Sequence, residues 1–194
     1  MKLDLISHPA GMIPRLTQLG GGPVAFEFSR YKYQPRVIED ERRSYRVESD
    51  DVALWIEGTA QALALDEDIA FHSRVYLKNE RIRQIPMIDF KGHPTPEDFH
   101  RVKEALAAFQ INSFEIFDSG RSFHLYGMAL LTQEEWLRFL GRILLINLPG
   151  GEELVDTRWV GHRIMAGYGT LRWTKNNPHY QKLPTKLQEA RFQC

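Results

Sequence analysis

The chain has 194 residues, 43% hydrophobic and 26% charged, which suits one globular domain with a sizeable core. Its single cysteine is Cys194, which excludes a disulfide framework and a cysteine-based zinc module. The longest apolar run, Leu137 to Leu148, is cut by Arg138 and Arg142 and is too short to cross a bilayer.

No signal-peptide pattern opens the chain, so the expectation is a cytoplasmic protein without a membrane partner. Net charge is zero but unevenly spread. Residues 157–194 carry seven Lys/Arg against Glu189 alone, while residues 1–156 carry 18 basic and 24 acidic side chains. A basic C-terminal part suits an anionic partner such as phosphate.

Gly20-Gly21-Gly22-Pro23 breaks the chain after a short opening segment. Val24 to Tyr33 alternates as a strand, and Arg36 to Val47 reads as a second, more charged one. Within the latter, Glu39-Asp40-Glu41-Arg42-Arg43 reads as a solvated turn. Asp50 or Asp51 caps a helix through Leu63. Ile69–Leu77 and Arg81–Phe90 flank Lys78-Asn79-Glu80 as a hairpin.

Thr95-Pro96-Glu97-Asp98 opens a helix with Val102, Leu106 and Phe109 on one face. Phe114 and Ile116 lead into a glycine turn, with Ser122 to Met128 as the returning strand. Thr132-Gln133-Glu134-Glu135 is a capping-box start for a helix through Asn147. Leu148-Pro149-Gly150-Gly151 stops it, and a short segment leads to Asp156. The expected architecture is α+β, mixed or antiparallel sheets with flanking helices. It divides into an N-terminal α/β part (1–80), a motif-bearing part (81–176) and a basic tail (177–194).

Chemistry concentrates in Asp118-Ser119-Gly120-Arg121-Ser122-Phe123-His124. Side chains repeat every second residue along a strand, so Ser122 and His124 are expected on one face, both able to reach a phosphate. Asp89 and Asp156 each follow an aliphatic residue. Paired carboxylates of this kind suit Mg²⁺ or Mn²⁺. Arg121, Arg163, Arg172 and Lys175 add positive charge. Trp159 and Trp173, set in the basic segment, are candidates for stacking on bases, whereas Trp136 is expected in the core.

These residues resemble the motifs of the archaeo-eukaryotic primase superfamily, which includes primase-polymerases. Ser119-Gly120-Arg121-Ser122-Phe123-His124 is similar to its second motif, which implies a nucleotide-phosphate role for Ser122 and His124. Val155-Asp156 is similar to the third, and Leu171-Arg172-Trp173-Thr174-Lys175 to the basic stretch beyond it. The resemblance spans roughly residues 82–176. It implies Asp89 and Asp156 as catalytic metal ligands, and Arg121, Lys91, Arg172 and Lys175 as nucleotide-binding residues. Arg163, Trp159 and Trp173 would contact DNA or RNA.

Ile88-Asp89-Phe90-Lys91 departs from the family's Asp-x-Asp first motif by placing Lys91 at the second carboxylate. At an effective dielectric near 20, one unit pair 4 Å apart is worth roughly 4 kcal/mol. That is enough to empty a weak divalent site. Lys91 is therefore expected to take the metal's place and meet the triphosphate, unless Glu115 or Asp118 substitutes. The expected function is a primase-like nucleotide- and nucleic-acid-binding protein with reduced or lost nucleotidyl transfer. An active small primase-polymerase and a non-catalytic interaction protein are the alternatives.

Overall fold

The computed structural model describes residues 4–34, 36–38 and 41–187. After α1 (Ile13–Leu16), the glycine break leads into β1 (Pro23–Lys32). Then follow β2 (Arg42–Glu48), α2 (Val52–Gln61), β3 (Glu67–Leu77) and β4 (Ile82–Gln84). These strands form an antiparallel sheet in the order β2-β1-β3-β4. Arg42 and Arg43 are already in β2 and not in the expected turn, whose Glu39 and Asp40 lie outside the described residues.

Strand alternation gives this first sheet two unlike faces. Phe26 and Phe28 of β1 and Phe71 and Val75 of β3 are fully buried against Val52 and Ile56 of α2. Glu27, Ser29 and Tyr31 lie on the opposite face.

The stretch from Arg81 to Phe90 is not one strand. Pro86 has no N–H to continue a ladder, and the chain changes sheets there. β4 stays with β3, while β5 (Met87–Asp89) pairs with a strand of the second sheet.

That sheet is built by β6 (Phe114–Asp118) and β7 (Phe123–Gly127), with α3 (Pro96–Ala107) before them and α4 (Gln133–Leu144) after. Both helices start as the sequence predicts. Thr95 and Asp98 exchange side-chain-to-backbone hydrogen bonds, and so do Thr132 and Glu135. On β7, Phe123 and Leu125 point to the cluster containing Phe99, Val102, Trp136 and Phe139. Tyr126, with Phe117 and Met87, joins the first sheet's core instead.

A further helix, α5 (Thr157–Ala166), follows Asp156 and ends at Gly167 in the left-handed conformation (φ 77°). β8 (Thr170–Arg172) then adds to β3, and β9 (Thr185–Lys186) pairs with β6. The second sheet runs β5-β7-β6-β9. The result is the α+β architecture expected, with no helix among the described residues long and apolar enough to cross a membrane.

Candidate nucleotide site

Two short extended segments create the centre of the site. Phe90 and Val155 form an antiparallel bridge, flanked by Asp156 N–H donating to Asp89 C=O (3.0 Å) and Lys91 N–H to Leu154 C=O (3.0 Å). Alternation sends Phe90 and Val155 into the core, where they are 1% and 0% exposed. Asp89 and Asp156, one residue off that pair on each segment, are thereby placed opposite one another on the other face. Like charges directly opposed destabilise a sheet, so the pair resists being ionised together.

Asp89 is also the cross-strand neighbour of His124 on β7, with His124 Nε2 3.7 Å from its Oδ1. That separation is beyond hydrogen-bonding distance. Burial, followed by the charge of Asp156, pushes the Asp89 carboxyl up to about 8, against the opposing pull of Arg172 and Arg163. His124 is buried, and burial plus Arg172 lowers its imidazole to about 3. It is therefore a neutral ring that offers one N–H and one lone pair, and its Nδ1 has no partner.

These residues line a cleft of about 400 Å³ between the open face of the first sheet and the polar end of the second. Among the described residues, seven arginine and lysine side chains line it, against two carboxylates, Asp89 and Asp156. The Ser-Gly-Arg-Ser turn closes one side. Ser119 donates from its N–H (2.9 Å) and its hydroxyl (2.8 Å) to Ser122 C=O, and Gly120 N–H donates to Asp118 (2.8 Å). Gly120 has φ 110°, and a Cβ there would meet Gln181 Cβ at 3.2 Å and Lys182 Cγ at 3.3 Å. Only glycine satisfies both the turn and the segment packed on it.

Most predicted site residues do converge. Asp89, Asp156, Ser122, His124, Arg121, Lys91, Arg163, Arg172 and Trp159 all line the cleft. Ser122 lies in the turn just ahead of β7, with its hydroxyl 3.2 Å from that of Ser119. Arg163 is buried and donates to Thr170 Oγ1 (2.5 Å). Arg172 is buried as well; its guanidinium donates to the carbonyls of Ser119 (2.9 Å), Lys182 (3.2 Å) and Thr174, with its Cζ 4.0 Å from the centre of the Tyr180 ring. It therefore ties the turn, β8 and the C-terminal segment together while adding charge to the cleft.

Other expectations need correction. Trp173 is fully buried, packs on Phe71 and donates to Tyr126 Oη (2.9 Å), so it is core and has no free face for a base. Lys175 is exposed and stands outside the cleft lining. The Lys91 ammonium pairs with Glu153, and it does not figure among the charges acting on Asp89. Its positive charge is thus offset by a neighbour that the motif comparison did not include. Glu115 pairs with Arg15 and with Lys186, and Asp118 with Lys182 (2.9 Å). Neither lines the cleft, so neither replaces the missing carboxylate.

Sequence reasoning missed the contribution of Tyr31, Tyr33, Arg36 and Arg42 and of residues 179–181. Tyr31, Tyr33, Arg36 and Arg42 line one wall, and His179, Tyr180 and Gln181 another. The two walls meet where Tyr33 stacks on His179 (4.5 Å) and the Tyr31 and Tyr180 hydroxyls hydrogen-bond (3.0 Å). Helix α5, which brings Arg158, Trp159 and His162 to the cleft, was also missed. Its local signals were Asp156 as N-cap, accepting from Trp159 N–H (3.0 Å), and Gly167 at the end.

The fold is a primase fold. The structure is similar to the crystal structure of primase RepB′, with a TM-score of 0.50 at 12% identity, covering 95% of this chain and 57% of that one. The chain thus spans a little over half the length of that protein. A family model described as archaeo-eukaryotic primase 1D-like matches residues 48–185, and the chain belongs to this family of the archaeo-eukaryotic primases. Comparison with curated proteins gives no match.

Proposed function

We propose that the cleft binds a nucleoside triphosphate and, beside it, nucleic acid, with nucleotidyl transfer reduced or lost. One observation carries this reading: Asp89 and Asp156 stand side by side next to a neutral His124 in a cleft lined by seven cations. Phosphate oxygens would accept from His124 and Ser122, while Arg121, Arg163 and Arg172 supply compensating charge. A buried imidazole held neutral is suited to donating a hydrogen bond, and adds no charge of its own.

The carboxylate pair would fit one hard divalent cation, because Asp89 and Asp156 face one another across the Phe90–Val155 bridge and such ions take oxygen donors. Asp89 and Asp156 would hold Mg²⁺ or Mn²⁺, which would supply charge neutralisation at phosphate oxygens. Among the described residues no group of three or more His, Cys, Asp or Glu forms a ligand set. Two carboxylates alone offer few ligands for a second ion, in keeping with the reduced or lost transfer proposed.

The test is the melting temperature with nucleoside triphosphate and Mn²⁺. A rise that His124→Ala abolishes supports the reading; no rise with any nucleotide sinks it. Extension of a labelled primer, lost on Asp89→Ala, would decide for an active primase instead.

A further inference from the structure

Arg121, in the turn between β6 and β7, is exposed, yet its guanidinium is already held. It donates to His179 C=O (3.1 Å) and, over a longer 3.4 Å, to His179 Nε2. A guanidinium has donors only, so Nε2 carries the lone pair and Nδ1 the proton. Both acceptors are neutral. Arg121 therefore keeps its full charge, with further N–H groups left to meet a ligand.

The imidazole is itself fixed. It stacks on the Tyr33 ring, 4.5 Å between centres with the planes 23° apart, and meets Tyr180 edge-on at 5.4 Å. The segment that carries it is tied down along its length. Asn176 and Asn177 donate their N–H groups to Asp68 (2.8 and 3.0 Å), and His179 N–H donates to Asn177 Oδ1 (2.8 Å). Beyond it, the Tyr180 hydroxyl meets that of Tyr31 (3.0 Å), and Lys182 pairs with Asp118 (2.9 Å). Tyr33 lies just past the end of β1. A residue of the first sheet's edge thus sets, through His179, the direction of a cation on the second sheet's turn.

We infer that Tyr33 and His179 are positioning residues for triphosphate binding, which aim Arg121 into the cleft beside Ser122. The inference rests on the nucleotide reading of this site. All four residues line the cleft. An exposed arginine loses rotamer freedom when it meets a phosphate, and one whose planar fork is already oriented loses less. A carboxylate in the place of His179 would orient the guanidinium as well but would cancel its charge. A neutral imidazole backed by a ring orients it and leaves the charge to the ligand. Burial, then the charges of Arg121 and Arg172, hold His179 below the usual histidine range, so the accepting lone pair is kept at neutral pH.

The experiment measures affinity for ATP and for inorganic tripolyphosphate, each with Mn²⁺, by calorimetry. Tyr33→Ala and His179→Ala should each weaken both probes by about threefold to tenfold, the range for ordering one long side chain. Tyr33→Phe keeps the ring face and should recover most of the loss. In an Arg121→Ala background neither alanine should weaken binding further, because both act through that guanidinium. A ligand-free measurement accompanies these: the His179 imidazole titration, followed by NMR, should move up toward the ordinary histidine value in Arg121→Ala. Wild-type affinity in both alanine variants would overturn the inference and leave the nucleotide reading intact. Undiminished losses in the Arg121→Ala background, or an unmoved titration, would overturn it too. A wild-type protein that binds neither probe would overturn the nucleotide reading and the inference with it.

Discussion

The N–H of Asp156 donates to the carbonyl of Asp89 at 3.0 Å, and that bond sets two carboxylates opposite one another at the floor of a cationic cleft. The two residues are 67 positions apart in sequence. Their neighbours Phe90 and Val155 are locked into the core, so neither Asp can turn away without disrupting buried packing.

This arrangement makes Asp89 a stability liability with a defined pH signature. The folded state holds the Asp89 proton up to about pH 8, whereas the unfolded chain releases it near the ordinary aspartate value of 3.8. Stability therefore falls as pH rises from about 4 to about 8 and levels off above. Asp89→Asn should raise the melting temperature relative to wild type, by an amount that grows through this window. Mn²⁺ should narrow the gap by stabilising only the wild type.

Gly120→Ala should damage the turn and the cleft together. A left-handed φ of 110° and contacts of 3.2–3.3 Å to Gln181 and Lys182 would both be violated. The expected loss is about 1–3 kcal/mol, read by urea unfolding, with a weakened triphosphate shift in the fraction that folds.

Arg172→Lys should not be conservative. A single ammonium cannot reproduce a planar fork that serves three carbonyls and stacks on Tyr180. Unsatisfied buried acceptors cost about 1–3 kcal/mol each. A stability loss of that order, with triphosphate binding reduced as well, is expected in denaturant and melting measurements.

Trp173→Phe tests the reassignment of this residue to the core. It removes the hydrogen bond to Tyr126 and leaves unfilled volume beside Phe71. Destabilisation of about 1–3 kcal/mol with unchanged oligonucleotide affinity is the expected result; lost affinity in a fully stable variant would contradict it.

Glu27→Gln reports on the polar network of the open sheet face. Burial would raise Glu27, but the hydrogen bonds from His72 and Tyr76 and the charge of Arg74 bring it down to about 2. Burial lowers His72 to about 4. Both groups bind protons more readily when unfolded, so stability is lost on acidification, through His72 from about pH 6.5 to 4 and through Glu27 from about 4.5 to 2. The variant should be less stable at neutral pH and lose less stability between pH 4.5 and 2.

Local signals carried much of the fold. Thr95-Pro96 and Thr132-Gln133-Glu134-Glu135 start their helices as read, and the Ser-Gly-Arg-Ser turn does join β6 and β7. Pro86 showed its effect only in three dimensions, because a proline marks a break without saying which sheet receives each half. Lys91 shows a similar limit. Read along the motif it occupies a metal-ligand position, but its charge is taken up by Glu153, 62 residues away.

By itself, the sequence determined the α+β class, the turn, the order of Asp89, His124 and Asp156, and the family likeness those residues carry. Each depends on neighbours within a few positions, where capping, alternation and glycine's φ range act. Only the tertiary structure decided which side chains share the cleft: Trp173 goes to the core, while Tyr31, Arg42 and Tyr180 reach the site from the two ends of the chain. Strand pairing between distant segments brings them together, and no local preference encodes which segments pair.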